Sequence, residues 1–193
     1  MKGWFSKNKK GMIVVVFIAF IAVMIVYSSM TSKSTPNSNA NTNNVVLRTS
    51  MGDITIQLYD DMPITSGNFK NLTQRGIYDG TVFHRIIRNL VVQGGDASTK
   101  GISIPTILDE LPNKHNNVRG SVAMAKTNEA NSATSQFYVN LKDNSGDWDS
   151  NYSVFGKVVA GMEDVVDAMG NVNTDSNDRP LQTVTLIKAE FVT

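Results

Sequence analysis

The segment FHRIIRNLVVQGGD, Phe83 to Asp96, sets one arginine and one glutamine among apolar residues. Arg85 sits inside the first apolar run and Gln93 closes the second. A buried, unpaired guanidinium is very costly, so Arg85 must either be paired or face a cleft. Further along, SQFYVN adds a second glutamine, Gln136, and Tyr138. Other chemistries are closed to this chain. It has no cysteine, which excludes disulfides, thiolate catalysis and cysteine-based metal sites. His84 and His115 are its only imidazoles, too few for a multi-histidine metal centre. DNSGDWD, Asp143 to Asp149, faintly suggests a calcium loop, but it lacks the full ligand spacing and the closing glutamate and reads as a solvated turn. What remains is a charged planar donor and two amides on an apolar background.

Strands must position these groups, because alternate side chains of a strand share a face. TVFHRII places Phe83, Arg85 and Ile87 on one face and His84 and Ile86 on the other, where His84 reads as a structural histidine and not a base. Val91 and Gln93 share a face, as do Gln136 and Tyr138, with Phe137 and Val139 opposite. A surface carrying Arg85, Gln93, Gln136 and Tyr138 is therefore permitted, with Phe137 and Val139 filling the core. Periodicity alone does not make the three strands neighbours. The rest of the domain is also strand-rich. VVLRTSMGDITIQLY reads as two strands around the turn signal SMGD, with Ile54, Ile56 and Leu58 facing inward. GSVAMAK, SVFGKVV and QTVTLIKAEFV read likewise. Two helices interrupt them. One is MPITSGNFKNLTQRG, opened by Pro63 and closed by Gly76. The other is GMEDVVDAMG, with Val165, Val166 and Met169 toward the core. Many short strands and two separated helices predict a mainly β domain, an antiparallel barrel with helices over its ends. The long stretch DASTKGISIPTILDELPNKHNNVRG belongs either to function or to disorder.

The first 44 residues read differently. Residues 1–10 form a basic N-terminus with Lys2, Lys7, Lys9 and Lys10. Residues 11–30 are apolar and uncharged, and about 20 such residues suffice to span a bilayer core. Residues 31–44 are rich in Ser, Thr and Asn and cannot offset their own ordering entropy, which predicts a flexible linker. The expected organisation is a basic cytoplasmic end, a single-pass anchor, a tether, and a domain over residues 45–193 outside the cytoplasm. A secreted protein, released after cleavage of a signal segment, is the alternative. With 18 Lys+Arg against 17 Asp+Glu the net charge is +1, so no strong field invites nucleic acid.

The motifs FHRII…QGGD, RGSVAMA, SQFYVN and VFGKV, in this order, resemble those of the cyclophilin family of peptidyl-prolyl cis-trans isomerases, and the likeness runs through residues 45–193. It implies an eight-stranded antiparallel barrel capped by two helices, here preceded by one transmembrane or signal helix. It implies that Arg85 is the catalytic arginine and that Gln93 and Gln136 are active-site glutamines. It places Ala125, following Met124, beside the substrate backbone. Leu90, Val91 and Tyr138 would form the floor of the proline pocket, with Phe83 nearby, and Trp148 and Tyr152 its wall and rim. Leu90 and Val91 are smaller than the family's usual Phe and Met, which makes the floor shallower.

Isomerisation of an X-Pro bond makes and breaks no covalent bond, so neither nucleophile nor cofactor is required. The barrier, about 18–20 kcal/mol, comes from amide conjugation. At the twisted transition state conjugation is lost and the prolyl nitrogen carries a localised lone pair. A fixed donor aimed at that nitrogen favours the twisted state over the planar one. Arginine suits the task because it is always charged and rigidly planar. The expected partners are proline-containing peptides and unfolded exported proteins, met by a monomer held to the membrane through its N-terminal helix. A proline-peptide binding module with poor turnover is the competing reading, motivated by Leu90 and Val91.

Overall fold

Alternation of β-branched and polar residues builds the first hairpin: β1 (Asn44–Thr49) pairs antiparallel with β2 (Gly52–Leu58). Val45, Leu47, Ile54, Ile56 and Leu58 turn inward and are buried. The structure, a computed structural model, describes residues 43–192. The expected basic end, apolar span and nearly all of the linker lie outside these residues. Among the described residues no helix is long and apolar enough to cross a membrane. β1 begins at Asn44, one residue before the boundary drawn from composition.

Helix α1 (Pro63–Gln74) starts with proline at its first turn, where the missing N–H costs nothing, and buries Phe69 and Leu72. It stops where Gly76 takes φ +64°. Seven further strands follow: β3 (Thr81–Val82), β4 (Arg85–Ile87), β5 (Val91–Gly94), β6 (Ser121–Met124), β7 (Phe137–Asn140), β8 (Val154–Ala160) and β9 (Thr185–Phe191). A π-helical turn, Met162–Val166, runs into α2 (Asp167–Gly170) and buries Val165, Val166 and Met169 as expected.

All nine strands form one antiparallel sheet in the order β3-β9-β1-β2-β8-β6-β7-β5-β4. Its two edges, β3 and β4, are successive pieces of chain joined through Phe83 and His84. The sheet therefore curls back on itself, but as a half-barrel whose edges are linked by chain and not by a ladder, with two short helices. This corrects the expected eight-stranded barrel. TVFHRII is not one strand: it breaks at Phe83–His84, and the break turns the Phe83 side chain into the core. There Phe83 is almost fully buried and meets Phe137 edge-on at 6.1 Å. Gly94 makes room for it, since a Cβ on Gly94 would lie 2.8 Å from the Phe83 ring and 3.0 Å from the Val82 carbonyl oxygen. Phe69, Tyr78, Phe137 and Phe155 complete the aromatic centre at centroid separations of 4.9–5.5 Å. Truncating such a ring to alanine costs about 3–5 kcal/mol.

Between β5 and β6 the long segment is an ordered strap. Glu110 carries it onto the start of α1, where its carboxylate accepts from Thr65 N (2.9 Å), Thr65 Oγ1 (2.7 Å) and Ile64 N (3.2 Å). The helix has no side-chain cap of its own, so Glu110 supplies acceptors for its free N-terminal donors.

Candidate active site

Strand register brings the singled-out polar residues together. Arg85 on β4 lies opposite Gln93 on β5, Gln93 opposite Tyr138 on β7, Tyr138 opposite Ala123 on β6, and Ala123 opposite Val154 on β8. Residues directly opposite across antiparallel strands present side chains to the same face. The next row, Ile86, Val92, Val139 and Val122, points into the core. The period-2 reading of SQFYVN and LVVQGG thus holds on both faces.

On the outer face Val91, Ala123, Tyr138 and Val154 form a second apolar cluster, separate from the core, with Leu90, Ala125, Trp148, Tyr152 and Tyr59 packed around it. Trp148 and Tyr152 stand edge-on to Tyr138 at 5.5 and 5.9 Å and lie 5.4 Å from each other. Beside this wall a cavity of about 320 Å³ is bounded by Lys126, Asp147, Trp148 and Tyr152. Gln93 Nε2 donates to Gln136 Oε1 at 2.9 Å, and the Gln136 carbonyl accepts from Ala125 N at 2.9 Å. The two amides are locked to each other and to the edge that Ala125 occupies.

Arg85 sits at the end of the row with its side chain about half exposed and its Nε 3.6 Å from Asp178 Oδ2. One of the two conditions set by its sequence context is met: it is paired, and it is not buried. Two expected site residues do not present side chains here. Phe83 is in the core because the strand breaks beside it. Met124 is in the core because it alternates with Ala123 and Ala125, opposite Phe137.

Tyr138 needs a partner for its hydroxyl, and it donates to Asn117 Oδ1 at 2.8 Å. Burial pushes the phenol well above its ordinary range, with Tyr152 and Asp149 acting in the same direction, so it stays protonated. Asn117 is held by Asp149 Oδ1, which accepts from its backbone N at 2.7 Å and its Nδ2 at 3.0 Å. The DNSGDWD turn puts carboxylates to structural use: Asp149 ties it to Asn117, and within it Asp143 Oδ1 accepts from Ser145 N and Oγ. His84, in the break between β3 and β4, is held below its ordinary pKa by burial, and its Nδ1 is buried without a hydrogen-bond partner. Sequence reading missed Ala123, Val154, Asn117 and Asp178. Alternation back from Ala125 points to Ala123, whereas Asn117 and Asp178 reach the site from distant loops and carry no local signal.

The model of the family described as cyclophilin type peptidyl-prolyl cis-trans isomerase/CLD matches residues 44–191, which takes in every strand and both helices. The chain belongs to this cyclophilin family. Peptidyl-prolyl cis-trans isomerase A of Dickeya dadantii is 39% identical over 172 residues, covering 85% of this chain and 90% of the relative. The peptidyl-prolyl cis-trans isomerase of Acinetobacter baylyi is 40% identical over 160 residues, covering 76% and 84%. In fold, the chain is similar to a Cryptosporidium parvum cyclophilin solved in the presence of the dipeptide Ala-Pro, with TM-score 0.69 and 24% identity over 78% of this chain and 99% of that one. This cyclophilin is an enzyme, a peptidyl-prolyl cis-trans isomerase.

Proposed function

We propose that the outer row is where the X-Pro bond is twisted. The proline ring lies on Val91, Leu90 and Tyr138, flanked by Trp148 and Tyr152, with the peptide backbone along Ala125. Arg85 donates to the prolyl nitrogen as its lone pair localises, and Gln93 and Gln136 hold the flanking backbone. The register Arg85–Gln93–Tyr138–Ala123 carries this reading, because it sets a charged donor beside an outward-facing apolar cluster. The chemistry asks for that combination: apolar contact grips the ring, and the donor acts on charge that develops only in the transition state. The related cyclophilin solved with Ala-Pro supports a proline peptide as the ligand class. Trp148 and Trp4 are the only tryptophans, so fluorescence tests the placement. Titrating an Ala-Pro tetrapeptide should change the emission of the full-length protein and leave that of Trp148→Phe unchanged. An unchanged signal in both, with isomerisation intact, places the peptide elsewhere.

The basic, then apolar, then Ser/Asn/Thr-rich N-terminus supports a second element of the proposal. The isomerase works outside the cytoplasm on a membrane tether and assists the folding of exported proteins. Protease added to intact cells should remove the domain while a membrane-bound N-terminal fragment remains. A domain protected until lysis contradicts this.

A further inference from the structure

Asp178 lies in the turn between α2 and β9, far in sequence from every motif that marks the site. The turn is tightly built: Thr174 bridges Pro180, Asp175 N donates to the Arg179 carbonyl at 2.8 Å, and Asp178 N donates to the Asp175 carbonyl at 3.1 Å. The Asp175 carboxylate accepts from Arg179 N and Asn177 N at 2.9 and 2.8 Å, which holds its pKa below the usual range. Asp178 itself takes φ +62°, a left-handed conformation that Asp and Asn tolerate better than most side chains. Its carbonyl accepts from Ile86 N at 2.8 Å, so the turn docks on the edge of β4 that has no neighbouring strand. That docking fixes the Asp178 backbone one residue from Arg85 and leaves its Oδ2 3.6 Å from Arg85 Nε.

We propose that Asp178 is a positioning residue for the isomerase reaction: it holds the Nε edge of the Arg85 guanidinium so that the remaining donors face the prolyl nitrogen. The inference rests on the reading of Arg85 as that donor. A long side chain on an edge strand samples many rotamers, and one fixed carboxylate on the non-reacting edge restricts them. At 3.6 Å, longer than a direct charge-assisted hydrogen bond, the carboxylate acts by electrostatic orientation. Both groups are about half exposed, so the pair contributes little to stability. Its effect therefore falls on turnover and not on folding.

The test compares full-length wild type, Asp178→Asn, Arg85→Ala and the double variant on an Ala-Pro tetrapeptide. Asparagine keeps the left-handed turn and removes the charge, and Asp178→Gly serves as a second variant that keeps the turn without a side chain. Asp178→Asn should lower kcat by about three- to tenfold, with KM and melting temperature unchanged. In the Arg85→Ala background it should have no further effect, because its action runs through the arginine. If Arg85→Ala loses activity while both Asp178 variants keep the wild-type kcat, the positioning role is overturned and the donor reading stands. The role is equally overturned if the two losses simply multiply in the double variant. If Arg85→Ala itself keeps full activity, the donor reading fails and the inference fails with it.

Discussion

Tyr138 shows how much one side chain carries. Its ring is part of the outer apolar cluster, and its hydroxyl is anchored by Asn117. The two ends of that hydrogen bond are not equivalent. Asn117 Oδ1 also receives Asn140 Nδ2 at 3.3 Å, so it keeps a donor when Tyr138 loses its hydroxyl. The buried phenol, by contrast, is left without an acceptor when Asn117 is truncated. Leaving a buried polar group unpaired costs about 1–3 kcal/mol, which for a domain of this size lowers the melting temperature by about 2–12 °C. Asn117→Ala should show that loss in thermal unfolding, and Tyr138→Phe a smaller one. Equal losses would mean that the hydroxyl is not what Asn117 holds. Nothing near Asn117 in the sequence announces this role, because the asparagine and the tyrosine meet only after the strap folds across the sheet.

At the scale of elements, the strap from Asp96 to Gly120 does what neither helix nor sheet does alone. Glu110 caps α1, Asn113 Oδ1 accepts from Val154 N at 2.9 Å, and Asn117 reaches Tyr138. Glu110→Ala removes the acceptors of Thr65 N and Oγ1 at a helix N-terminus and should cost about 1–2 kcal/mol. Glu110→Gln, which keeps an acceptor, should cost less. Denaturant titration separates the two, and equal stability of all three proteins would show that the cap contributes nothing. Composition marked the strap as functional or disordered but could not say that it is ordered, since its hydrogen bonds go to partners far along the chain. Local alternation was enough for the faces of β5 and β7, because a pleated strand repeats every two residues. It failed at TVFHRII, where Phe83 shares the parity of Arg85 yet lies in the core. The chain kinks there because Gly94 opens a space for the ring, a fact of the facing strand. Met124 follows the same alternation inward, although its neighbour Ala125 borders the outer face.

For the whole molecule, several carboxylates among the described residues are held by local hydrogen bonds. Hydrogen bonds hold Asp61, Asp143, Asp167, Asp175 and Glu190 below their ordinary pKa values, through His115, Ser145, Arg119, the Arg179 backbone and Lys188 respectively. A carboxylate with a depressed folded-state pKa binds fewer protons folded than unfolded. Its contribution is present above the unfolded value, about 4, and is lost as pH falls through the folded value. The melting temperature should therefore hold through neutral pH and fall below about pH 4. A melting temperature unchanged down to pH 2 contradicts these pairings. The role of Arg85 is read from the rate at which full-length wild type and Arg85→Ala isomerise a saturating Ala-Pro tetrapeptide. Loss of a single transition-state donor should slow the reaction by about 100-fold or more while the peptide still binds. An Arg85→Ala variant that binds the peptide and turns it over at the wild-type rate would remove Arg85 from the chemistry.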